Sequence, residues 1–138
     1  MTQTPDLEER LRDFVLAFVK KGRQERLLTE LFHPKKRYRG LSCFCHNAKD
    51  LLRSDCILYE GTDLSKYPDL PLILKKEKKL TLFSCDPAFD EEVLDSEEAL
   101  KVAFYCQDML IMMGREYAIV YEEVYTKGQT KYVLKKKE

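Results

Sequence analysis

The sequence predicts a single α+β domain over residues 1–138, with a buried helix on a mainly antiparallel sheet of about five or six strands. Three observations predict it. Lys79 to Cys85 alternates apolar and polar residues. Asp95 to Met113 is a thickly apolar stretch with helical end signals, stopped by Gly114. Tyr117 to Leu134 has the pattern of two strands joined by a turn around Gly128, a C-terminal β-hairpin.

The N-terminal elements predict a helical hairpin. Thr4-Pro5 is a helix opening, because Thr can cap free amides and Pro at the first helical position loses no hydrogen bond. Leu7, Leu11, Phe14, Val15, Phe18 and Val19 form one apolar stripe, ended at Gly22. A shorter helix is expected over Gln24 to Phe32, with Leu27, Leu28, Leu31 and Phe32 inward and Pro34 forbidding continuation.

The middle of the chain gives weaker signals. Tyr38 to Cys45 has strand character, Ala48 to Leu52 suits a short helical turn capped by Asn47, and Cys56 to Tyr59 suits a strand. Gly61 to Pro68 is a loop. Leu70 to Leu74 and Leu80 to Phe83 flank the polar run Lys75-Lys76-Glu77-Lys78-Lys79, the pattern of a hairpin with a loop of about five residues.

The expected central helix, residues 95–113, starts on a capping box, Asp95 with Glu98 three residues on. Apolar residues cover most of its circumference, and Lys101, Asp108 and Arg115 mark its solvent stripe. Such a helix needs cover on more than one side: a sheet on one, and the N-terminal helices or a second copy of the chain on the other. A homodimer is therefore expected, through that helix or the exposed edge of the C-terminal hairpin.

A chain of 138 residues can bury a core without disulfides or metals. Its longest apolar run, Met109 to Met113, is far short of a membrane span, and Asp6, Glu8, Glu9 and Asp13 are wrong for a secretory signal. A cytoplasmic protein is expected. The five cysteines, Cys43, Cys45, Cys56, Cys85 and Cys106, are odd in number and lie within apolar segments, so reduced, buried thiols are expected.

Zero net charge conceals blocks. Residues 1–53 carry 12 basic and 7 acidic side chains, residues 83–123 carry 2 basic and 11 acidic, and residues 124–138 carry 5 basic and 1 acidic. Opposite blocks can pair within the fold or between chains.

Candidate sites follow from these patterns. Cys43-x-Cys45-His46 with Cys56 is the nearest approach to a metal cluster. On a strand, its one-residue gap would put both thiols on one face, but no second knuckle accompanies it, and no metal is assigned. A cysteine nucleophile would need His33 or His46 as base, and neither position makes the pairing. Pro68-Asp69 with Glu77-Lys78-Lys79 resembles the Pro-Asp and Glu-x-Lys signature of restriction-endonuclease-like nucleases, which hold magnesium on strand carboxylates. The resemblance is confined to residues 68–79 and puts Glu77 at a polar hairpin tip rather than in a buried strand, so no cofactor is assigned.

The densest acidic run holds Asp86, Asp90, Glu91, Glu92, Asp95, Glu97 and Glu98. Within it Asp90, Glu91, Glu92 and Asp95 are the candidate surface for a protein partner. The main basic patch comprises segments 20–26 and 35–39, with Lys35, Lys36, Arg37 and Arg39 as the candidate nucleic-acid contacts. No catalytic constellation and no Gly-rich phosphate loop is present. The expected function is a non-catalytic protein-interaction module of adaptor, immunity or chaperone type. The alternative is a nucleic-acid-associated regulator, and the third reading is a small enzyme using the cysteines or the carboxylates Asp86 and Asp90.

Overall fold

Four adjacent strands place Phe83, Ile111, Val120 and Tyr132 in one cross-strand row, and Leu82, Met112, Ile119 and Val133 in the next row on the opposite face. Both rows are buried, so both faces of the sheet must be covered. The computed structural model describes residues 4–85, 87–105, 111–124 and 128–137, and shows how. A sheet of six antiparallel strands lies between two helical layers.

In chain order the elements are α1 (Thr4–Phe18), α2 (Lys21–Leu31), α3 (Arg37–Leu51), β1 (Ile57–Gly61), α4 (Leu70–Glu77), β2 (Lys79–Phe83), β3 (Glu92–Asp95), α5 (Ser96–Tyr105), β4 (Ile111–Met113), β5 (Tyr117–Val124) and β6 (Gly128–Lys135). Short 3-10 turns precede β1 and α4. The strand order is β1-β6-β5-β4-β2-β3, so β1 and β3 are the two edges.

One face carries Phe83, Ile111, Met113, Ala118, Val120, Tyr132 and Leu134 against α1, α2 and α3. Phe14 of α1 and Phe44 of α3 meet edge-on there, with ring centroids 5.4 Å apart. The other face carries Leu80, Leu82, Leu94, Met112, Ile119, Tyr121 and Val133 against α4 and α5. Burying each large apolar side chain is worth about 1.5–3 kcal/mol, which is what holds the three layers together.

The α+β class, the N-terminal helices, strand β1 and the β5–β6 hairpin agree with the sequence expectations. Several expectations are corrected. Tyr38 to Cys45 is not a strand but the body of α3, whose stripe Leu41, Phe44, Ala48 and Leu51 is buried. Gly22 does not end a helix: α1 stops at Phe18, and Gly22 lies in the first turn of α2. Leu70 to Leu74 belongs to helix α4, with Pro71 in its first turn, so there is no hairpin leading into β2.

The central helix is also shorter than expected. It ends at Tyr105, and Ile111–Met113 is strand β4, paired with β2 and β5. Residues 106–110, including Cys106 and Asp108 of the expected helix, lie outside the described residues. The cover of α5 is α4 and the sheet; the N-terminal helices lie on the sheet's other side. The hairpin edge offered for a homodimer is not exposed either, because β1 pairs with β6 and β4 with β5. No helix among the described residues is long and apolar enough to cross a membrane.

Candidate functional site: the acidic turn and edge strand

The turn from β2 into β3 is built around Asp90. Its Oδ1 accepts the Ser84 backbone N–H at 3.1 Å, which closes the turn on itself. Its two oxygens also take the guanidinium of Arg37, Nε to Oδ2 and Nη2 to Oδ1, each at 3.1 Å. Arg37 opens α3 and lies with its Cζ 5.9 Å from the ring centre of buried Phe83. The pair is half-buried and fork-shaped, the geometry in which an Arg–carboxylate contact is strongest. It ties the three-helix layer to the acidic turn.

Glu91 follows in an unusual conformation, φ 68°. Its N–H donates to Leu82 O at 2.7 Å, although the register partner of Leu82 is Glu92. Two residues therefore oppose one, a β-bulge that twists the chain into the edge strand. The left-handed conformation costs a non-glycine residue on the order of 1 kcal/mol. Arg37 offsets part of this by approaching the Glu91 carboxylate at 3.6 Å.

Strand β3 then pairs with β2 on one side only. Leu94 points into the core with Leu80 and Leu82, while Val93 is 45% exposed. The N–H of Asp95 is turned away from β2, donating to Glu98 Oε1 at 3.2 Å. Antiparallel ladders alternate, so Val93 presents its N–H and C=O to the open edge in the same way. No described residue pairs with them. Glu91, Glu92, Asp95, Glu97 and Glu98 are exposed around this edge.

Of the expected partner surface, Glu91, Glu92 and Asp95 are thus brought together at the edge, whereas Asp90 is turned inward onto Arg37 and Ser84. Asp86 lies outside the described residues. Of the expected basic contacts, Lys35, Lys36 and Arg39 are exposed, and Arg37 is committed to the acidic turn. Val93, the apolar centre of the edge, was missed in the sequence, because Glu92-Val93-Leu94-Asp95 sets two apolar residues side by side and shows no period-2 alternation next to the capping box.

The cysteines form no site among the described residues. Cys43 lies on helix α3, where residues two apart point to different sides, so the shared strand face expected for Cys43 and Cys45 does not exist. The side chain of Cys45 lies outside the described residues. His46 is exposed. Cys56 is buried, Cys43 half-buried and Cys85 exposed, which corrects the expectation that all the thiols are inside. Burial pushes the thiols of Cys43 and Cys56 up; at Cys85, desolvation followed by the charges of Asp90 and Glu123 does the same. A raised pKa leaves less thiolate, the opposite of what a nucleophile needs. Among the described residues no three His, Cys, Asp or Glu side chains converge as a metal site.

Glu77 is also relocated. It ends α4, is buried, and its carboxylate accepts the backbone N–H groups of Arg115, Glu116 and Tyr117 at 2.7, 2.8 and 2.6 Å. Those oxygens are committed to the β4–β5 turn, while Asp69 is exposed at the opposite end of the same helix. The nuclease-like signature is not assembled.

Compared with protein-family models, curated proteins and solved structures, the chain has no match in any of the three.

Proposed function

We propose that the protein is a non-catalytic interaction module that binds another protein through the β3 edge. The observation that carries this reading is Val93, an exposed apolar residue with outward backbone groups and no pairing strand among the described residues, set among the exposed carboxylates Glu91, Glu92 and Asp95. An extended segment that adds a strand there gains main-chain hydrogen bonds, and its side chains meet a strongly negative rim. The fitting partner carries Lys or Arg beside small apolar residues. Charge also argues against self-pairing: two β3 edges would set Glu92 and Asp95 against the same carboxylates.

The test is fluorescence anisotropy with labelled ten-residue probes that alternate lysine and valine, beside matched probes with glutamate for lysine. Micromolar, salt-sensitive binding of the basic probe, lost in Val93→Pro and in Glu91→Lys/Glu92→Lys, is the expected result. Proline at an edge position removes the outward N–H without touching the β2 ladder, so the variant folds. Equal binding of both probes, or none by either, would sink the proposal.

A further inference from the structure

A second feature lies away from this edge, where α1, the end of α4, the β4–β5 turn and the residue after β6 line an open cleft of about 670 Å³. Its lining is charged, and the charges are unequally committed. Lys136 Nζ and Asp13 Oδ2 pair at 2.6 Å and cancel. Glu77 spends its carboxylate on the three backbone N–H groups of the β4–β5 turn. Arg10 contributes one long contact, Nη1 to Gly114 O at 3.4 Å, which leaves most of its five donors without a partner among the described residues. Lys76 and Arg115 make no ion pair among the described residues. Among the described residues, three cations on three separate elements thus line one cleft, against one uncommitted carboxylate, Glu116.

We propose that this cleft binds a small oxyanion of charge −2, a phosphate group or a dicarboxylate, on Arg10, Lys76 and Arg115. Arginine forks match both chemistries, since each presents paired oxygens in a plane. The volume is that of a small-molecule site rather than of a crevice between two side chains. Glu77 is what makes the site available. By filling the amide nest of residues 115–117 from within, it fixes the turn that carries Arg115 and leaves the cations to the ligand.

Isothermal titration calorimetry at low ionic strength tests this on the full chain, with inorganic phosphate in one arm and malonate in the other. The expected result is saturable one-to-one binding in at least one arm, with a Kd of about 1 mM or tighter. Whichever arm saturates identifies the group. Arg10→Gln and Arg115→Gln should each weaken it about tenfold, and Glu116→Gln should tighten it by about threefold, as expected for charges near a protein surface. Lys20→Ala with Lys21→Ala, in a separate basic hollow of about 400 Å³ beside Arg53, should leave it unchanged. No saturation in either arm would overturn the proposal. So would binding that survives both arginine changes, or that falls equally with Lys20 and Lys21.

Discussion

Glu77 shows how a single buried side chain can organise a turn. Its carboxylate holds three consecutive backbone N–H groups, and each such charge-assisted bond is worth about 1.5–3 kcal/mol in place. Glu77→Ala leaves those donors half-buried with water as their only partner, so a loss of about 2–4 kcal/mol in urea unfolding is expected. Gly114 is bound to the same arrangement: a Cβ there would lie 2.4 Å from the Glu77 carboxylate carbon, which is anchored and cannot give way. Gly114→Ala should cost about 1–3 kcal/mol by the same measurement. A second buried pair sets an alkaline limit. Tyr132 donates to Glu122 Oε1 at 2.6 Å, and burial first, then that bond and the Glu122 charge, push its phenol above the ordinary 10.0. Below pH 10 the phenol is protonated folded and unfolded alike, and the stabilisation is complete. Above it only the unfolded chain ionises, so stability falls with rising pH, by up to about 1.4 kcal/mol per unit, until the folded pKa is reached. Urea unfolding at about pH 9 and about pH 11 should show that decline, and Tyr132→Phe should make it shallower, the remainder coming from the raised thiols of Cys43, Cys56 and Cys85 and the raised phenol of Tyr67.

At the scale of elements, α5 begins on a reciprocal cap. The Glu98 N–H donates to Asp95 Oδ1 at 2.9 Å, and the Asp95 N–H donates to Glu98 Oε1 at 3.2 Å. Asp95→Ala should lower stability by about 1 kcal/mol, seen as a lower thermal midpoint, and Glu98→Ala by less. Because Asp95 also stands on the binding edge, its effect on partner binding is read only after this correction. Helix α3 bends at Asn47, with φ −136° and ψ 28°. The bend frees the Lys49 N–H, which points to Glu122 Oε2 at 3.5 Å. The pair Lys49–Glu60, at 2.5 Å, sits nearby on the surface and adds little. The two sheet edges differ in kind. Edge β1 is broken by an irregularity between Ile57 and Tyr59, where Leu58 is exposed, whereas β3 keeps an unbroken register with β2 after its bulge and is rimmed with carboxylates.

For the whole molecule, the charge blocks meet in the fold. Arg37 of the basic patch closes on Asp90 and Glu91 of the acidic run, which removes one cation from any polyanion surface. Binding of a labelled 20-mer of RNA or DNA is therefore expected at the non-specific level, a Kd of about 10⁻⁴ to 10⁻⁶ M, falling with salt. Lys35→Ala, Lys36→Ala and Arg39→Ala test it with the fold intact, while Arg37 must be kept. Submicromolar affinity lost in that triple variant would move the nucleic-acid reading ahead of the protein-binding one. A homodimer loses its main ground once the apolar stretch is divided between α5 and the buried strand β4. Light scattering at tens of micromolar is expected to give the single-chain mass of 16.3 kDa.

The sequence by itself determined the α+β class, the α1 stripe from Leu11 to Phe18, the capping box of α5 and the β5–β6 hairpin. These are signals carried by residues near one another in the chain, where period and caps act locally. The i, i+3, i+7 stripe of Leu41, Phe44 and Ala48 and the Pro71 signal of α4 were also present, but competed with strand-like composition around them. Tertiary structure alone decided the rest. Ile111-Met112-Met113 is buried on both sides, and a short run apolar on both sides has no period that separates a strand from a helix; its pairing with β2 and β5 settled it. The carboxylates of the β3 edge were legible as one acidic run, but the commitment of Asp90 to Arg37 was not. That pair and the charged cleft join residues far apart in sequence, such as Arg10 with Arg115, and only packing brings them within reach.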